Sequence, residues 1–96
     1  MVRKRRGVKH CKPIHPGKIL LEEFIKPSGM TQAAPSWKMG VPIQRINTLI
    51  NEKRNMAPET AILLSRVFRT SPEFWMNLQT PFDLYLAQQE MTTYVV

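Results

Sequence analysis

The stretch that decides the fold is "GVPIQRINTLINEKR", Gly40 to Arg54. Wound as a helix at about 100° per residue, it gathers Ile43, Ile46, Leu49 and Ile50 on one arc of about 120°. Gln44, Arg45, Asn47, Thr48 and Asn51 share the opposite side, which carries no acid, and Lys53 and Arg54 follow just past its end. Such a helix buries one face and offers the other, rich in amide and guanidinium groups, to a hydrogen-bonding partner.

Working outward, "TQAAPSWKMG" precedes it. Thr31 suits an N-cap and Gly40 a left-handed helix end, and Pro42 suits the first position of the helix that follows. Upstream, "HPGKILLEEFIKP" repeats Leu20, Leu21, Phe24 and Ile25 at helical spacing, so the pattern predicts a helix from about Pro16 to Lys26, stopped by Pro27. Downstream, "APETAILLSRVF" predicts a helix over about 58–68 with Ala61, Leu64, Val67 and Phe68 as its stripe. "TSPEFWMNLQ" opens the last helix, with Ser71 as cap and Pro72 in first place. Its apolar positions continue through Leu78, Phe82, Tyr85 and Leu86 towards Met91, and Pro81 predicts a kink or break. No stretch alternates with period two, so the fold class is all-α. The expected organisation is a flexible basic arm over 1–13, a helical domain over 14–91 ending in a dimerisation helix, and a tail over 92–96.

Fourteen Lys and Arg face seven acids in 96 residues, a net charge of +7. Six of those cations stand in residues 3–12, which leaves the remainder at +1; within it, 31–54 carries +3 and 55–96 carries −2. A basic arm beside a local basic patch suits a polyanion, and ordinary solvated surface charge suits it equally. The longest apolar run, around Ile62 to Leu64, is far too short to span a membrane. The opening "MVRKRRGVKHCKP" has no apolar region behind it and does not read as a secretory signal. Cys11 is the only cysteine, so no internal disulfide forms, which fits a reducing cytoplasm.

Residues 31–51 thus have the layout of a helix-turn-helix. The major groove is about 12 Å wide and admits one helix, where Gln44 and Asn47 suit adenine and Arg45 suits guanine. Thr31 and Gln32 stand at a helix N-terminus, whose N–H groups suit a phosphate. Spacing alone leaves open an αα-hairpin whose polar face meets only water.

Thr31–Gln32, Gly40–Val41, Ile46 and "NEKR" at 51–54 resemble the repressor-type helix-turn-helix of the XRE family. The flanks "HPGKILLEEFIKPSGMTQ" and "TSPEFWMNLQ" resemble the HigA (VapI-like) antitoxins, over roughly residues 15–88. The resemblance implies a five-helix lambda-repressor-like domain that binds double-stranded operator DNA as a homodimer, represses its own operon and neutralises a HigB-type ribonuclease toxin. It matches Gln32 to a phosphate contact, Pro42, Ile43, Gln44, Arg45 and Thr48 to the groove-facing positions, and Lys53 and Arg54 to backbone contacts. Asn47 joins the DNA-binding set from its place on the polar face, and Phe82, Tyr85 and Leu86 form the expected dimer interface. A protein-interaction module that binds a toxin or other partner with weak or lost DNA binding, and a solitary XRE-type regulator, fit the same residues.

The chain departs from the family pattern. Pro35 stands where the family has leucine, so the second helix is expected either to start at Pro35 or to be distorted in its first turn. Glu52 and Arg69 stand where the family ends helices with glycine. A left-handed backbone there costs about 1 kcal/mol, and Asn51 offers itself as a substitute for Glu52. Phe74 and Trp75 read as core, and Trp37 as partly exposed. His10, Cys11 and His15 are near neighbours but lack a fixed geometry and a fourth ligand. No metal, cofactor or catalysis is expected, since those three residues are all the chain offers for nucleophilic or base chemistry.

Overall fold

The computed structural model describes residues 12–94, and the side chains only as far as residue 91. The basic stretch ahead of Lys12, with His10 and Cys11, lies outside the described residues, as does the end of the expected tail. The described chain forms five helices and no strand. They are α1 (residues 16–28), α2 (Ala33–Met39), α3 (Ile43–Ile50), α4 (Pro58–Phe68) and α5 (Pro72–Tyr94).

The amphipathic reading of the central stretch holds. Ile46, Leu49 and Ile50 are buried, whereas Ile43, on the same arc, is left partly exposed at the start of α3. Pro42 stands just outside the helix in extended conformation (φ −63°, ψ 148°), as the cap and not as the first helical residue.

Around these three residues the core draws on every helix: Leu20 and Ile25 from α1, Met39 from α2, Ala61 and Leu64 from α4, and Trp75 from α5. Trp75 is fully buried. Its indole N–H donates to Thr70 Oγ1 at 2.7 Å, and its ring lies 5.1 Å from Phe24. Phe24 also meets Phe68 and Phe74, at 5.3 and 6.0 Å. Removing a side chain such as Leu49 or Trp75 from such packing costs about 2–5 kcal/mol.

Gly17 is fixed by a close approach. A Cβ at this position would lie 1.8 Å from the carbonyl oxygen of Leu49, so α1 packs backbone to backbone on the end of α3.

Four local expectations are corrected. First, Pro27 does not stop α1, which runs on to Ser28 and ends at Gly29 (φ 70°). Residues Leu20–Ile25 are wound as a π-helix, with the Lys26 N–H reaching back five residues to Leu21; this looser winding lets a helix absorb residues that resist the α geometry. Second, α2 begins at Ala33, not at Thr31 or Pro35, and no side chain caps it. Pro35 is its third residue, in the first turn, where N–H groups have no helical partner anyway. Its ring is buried. Third, the left-handed residue after α3 is Glu52 (φ 62°) and not Asn51, which stays at φ −83°. Fourth, α5 is not broken at Pro81, and it continues to Tyr94, into the segment expected as tail.

Three helix ends share one hydrogen-bond pattern. Val41 N–H bonds to Ser36 O at 3.0 Å, Lys53 N–H to Thr48 O at 2.8 Å, and Thr70 N–H to Ser65 O at 3.2 Å. The residue before each donor is left-handed: Gly40, Glu52 and Arg69. This six-to-one closure forces a positive φ on that residue whatever its identity. At the start of α5, Ser71 Oγ accepts the Phe74 N–H at 3.0 Å, the expected cap.

Candidate nucleic-acid interface

α2 and α3 meet through the Gly40 turn, and the buried arc of α3 leaves its polar side outward. Gln44 is exposed there, and Arg45, Asn47 and Thr48 are half-buried. Pro42, Lys53 and Arg54 are exposed at the two ends of the helix, and Gln32 is half-buried at the start of α2.

The hydroxyl of Thr48 is already engaged. It donates to Gln44 O at 2.7 Å and accepts from Arg54 Nε at 3.4 Å. With its proton committed within the helix, what it has left to offer a base is its methyl group and one acceptor lone pair. The contact also draws Arg54 back along α3, so the end of the helix and the basic turn form one surface.

Behind that turn lies a buried polar connection that pattern reading missed. Gln79, on α5, is buried. Its Oε1 accepts the Met56 N–H at 2.6 Å, and its Nε2 donates to Asp83 Oδ1 at 2.8 Å. Met56 is itself buried, so Gln79 pins the far end of the segment that carries Lys53 and Arg54. The signal was present: Trp75, Gln79 and Phe82 follow at i, i+4 and i+7, and an amide in such a stripe needs a buried partner.

His15 is a second such group. Its ring is buried and its Nδ1 accepts the Gly17 N–H at 2.9 Å, capping α1. It thereby acts as the neutral tautomer with its proton on Nε2. Among the described residues no partner meets Nε2 in good hydrogen-bond geometry. Burial lowers its pKa below 6.5; Glu52 and Asp83 oppose the shift, Lys12 adds to it, and the backbone of Arg54 opposes it. The ring stands edge-on to Phe82 at 4.9 Å, and Lys12 Nζ lies 5.5 Å from the centre of the Phe82 ring. Among the described residues no group of His, Cys, Asp and Glu side chains could hold a metal ion.

The three residues expected at the dimer interface differ in exposure. Phe82 is only 7% exposed and packs inside the chain against His15. Tyr85 is half-buried. Leu86 is exposed on the distal half of α5, as are Leu84 and Met91. Trp37 is 74% exposed on α2. No helix among the described residues is long and apolar enough to cross a membrane.

No family model matches the chain, but individual proteins do. Virulence-associated protein I of Dichelobacter nodosus is 38% identical over 84 residues, 88% of this chain and 78% of the relative. Antitoxin HigA-1 of Vibrio cholerae is 38% identical over 74 residues, 77% of this chain and 70% of the relative. Among solved structures, Pseudomonas aeruginosa antitoxin HigA with the higBA promoter superposes with a TM-score of 0.77 at 36% identity, over 88% of this chain and 95% of that one. Antitoxin GraA in complex with its operator gives 0.80 at 39% identity, over 97% and 91%. With the same helix-turn-helix, at these identities and over most of both chains, the chain belongs to the HigA family of antitoxins.

Proposed function

We propose that the chain is the antitoxin of a type II toxin–antitoxin operon: it binds operator DNA as a homodimer, represses its own operon, and neutralises a HigB-type ribonuclease toxin. The observation that carries the reading is α3, whose apolar side is locked in the core while Gln44, Arg45, Asn47 and Thr48 stand on a surface continuous with Lys53 and Arg54. Relatives solved with a promoter or an operator support it.

Gln44 and Arg45 read base edges from the first turn and a half of α3, the part that enters a groove deepest. Lys53, Arg54 and Gln32 hold phosphates, and Pro42, Ile43 and the Thr48 methyl pack against the groove wall. The domain over 14–91 performs this binding, with the basic stretch over 1–13 adding affinity without sequence preference. Tyr85 and Leu86, with Leu84 and Met91, cover one another across the dimer. The chain acts in the cytoplasm, by binding and not by catalysis.

Titration of the chain against the duplex upstream of its own coding region, beside a scrambled duplex, tests the repressor. Equal affinity for both refutes it. Co-expression with a small basic ribonuclease encoded next to it tests the antitoxin, and unrelieved growth arrest refutes that part. Sedimentation at tens of micromolar checks the dimer.

A further inference from the structure

The turn that ends α3 carries a charge that a DNA-facing surface does not call for. Glu52 occupies its left-handed position, φ 62°. The turn is closed on both sides of this residue: Glu52 N–H bonds to Leu49 O at 3.0 Å, and Lys53 N–H to Thr48 O at 2.8 Å. A residue with a Cβ is strained in this conformation and persists only where its surroundings impose it. Its side chain is exposed. It is the one acid in residues 31–54, among Lys38, Arg45, Lys53 and Arg54. No ion pair engages it among the described residues: the pair found is Lys26–Glu22, and Arg54 turns to Thr48 instead.

We propose that Glu52 lowers the affinity of this chain for double-stranded DNA, by fixing a carboxylate beside the two cations that meet the phosphates. The proposal rests on the DNA-binding reading of α3. Binding draws its strength from phosphates neutralised by cations, and a carboxylate in the same turn repels the same phosphates. At about 8 Å in water, one such repulsion is worth about a two- to three-fold loss per half-site, hence about five-fold for a dimer. Phosphates are alike in every sequence, so Glu52 sets the strength of binding and not the choice of site.

The test compares the full chain with Glu52→Gln, Glu52→Gly and Lys53→Ala, by fluorescence anisotropy on the upstream duplex and a scrambled duplex, at low and high salt. Glu52→Gln keeps the Cβ and its strain and removes only the charge. It should bind both duplexes more tightly at low salt, lose the advantage at high salt, and melt at the wild-type temperature. Glu52→Gly should gain the same affinity and also melt a few degrees higher. If Lys53→Ala weakens binding while Glu52→Gln binds no better than wild type, the proposal is overturned and the DNA-binding reading stands. If wild type and all three variants leave both duplexes free, the DNA-binding reading fails, and the proposal with it.

Discussion

Replacing Gln79 by methionine should lower the unfolding free energy by about 2 kcal/mol. Gln79 is buried, with its oxygen on the Met56 N–H at 2.6 Å and its nitrogen on Asp83 at 2.8 Å. Methionine has nearly the same length and volume, so the cavity contribution is small. The loss is polar. Met56 is buried, and its N–H left without an acceptor costs about 1–3 kcal/mol. The bond to Asp83 is only partly buried and adds less than about 1 kcal/mol, while the thioether, easier to bury than an amide, returns a similar amount. At about 4–8 °C per kcal/mol for a domain of this size, the melting temperature should fall by about 8–16 °C. Circular dichroism melts of both proteins at one concentration measure it. Equal concentration matters because a dimer melts by mass action. A melting temperature unchanged to within about 2 °C would refute the reasoning, since it would mean that the Met56 N–H finds another acceptor and that α5 does not pin the basic turn. Gln79→Glu gives a companion check. The introduced carboxyl keeps the acceptor but faces Asp83, so its folded pKa is raised. The stability lost at neutral pH should therefore return as the pH falls through the carboxylate range.

Gln44→Ala and Arg45→Ala should each cost about 1–3 kcal/mol on the operator and little on scrambled DNA, whereas Lys53→Ala should weaken both alike, as parallel titrations at one salt concentration will show. His15, held below 6.5 chiefly by burial, takes up its proton in the unfolded chain first. Stability measured by denaturant unfolding should therefore fall as the pH drops through that value and level off once the folded imidazole is protonated, and His15→Asn should flatten this part of the profile. Pro35→Leu should not raise the melting temperature, because the proline forfeits no hydrogen bond in the first turn of α2 and its ring is buried. A clear rise in a thermal melt would show that the proline distorts the helix after all.

Sequence sufficed for features decided within a turn or two. α4 lies where Pro58 and its stripe place it, and α5 starts at the Ser71 cap, because caps and periodicity act over three or four residues. Proline was over-read at 27 and 81. Its local penalty competes with the π winding of α1 in one case and, in the other, with the burial of Phe82 one residue on. Asn51 looked the better left-handed residue by propensity, yet the Lys53–Thr48 bond fixes the position by counting from the helix and lands on Glu52. In the candidate interface, the helix faces of Gln44 and Thr48 were legible from spacing. The bond of Gln79 to Met56 and the ring contact of His15 with Phe82 were not, because those partners meet only when α1, α5 and the basic turn come together.

The seat of Gly17 on Leu49 gives the reading helix a mechanical property. Helices packed through side chains can shear by about 1–2 Å, since rotamers absorb the slip. A backbone resting on a carbonyl has no rotamer to yield, and here a single Cβ would already overlap that oxygen. The contact thus fixes how closely α1 and α3 approach, with no side chain between them to repack, which resists sliding of α3 against α1. The stiffness reaches the element that most needs it, because polar side chains discriminate one base from another only when held to within about 0.5 Å of the productive geometry.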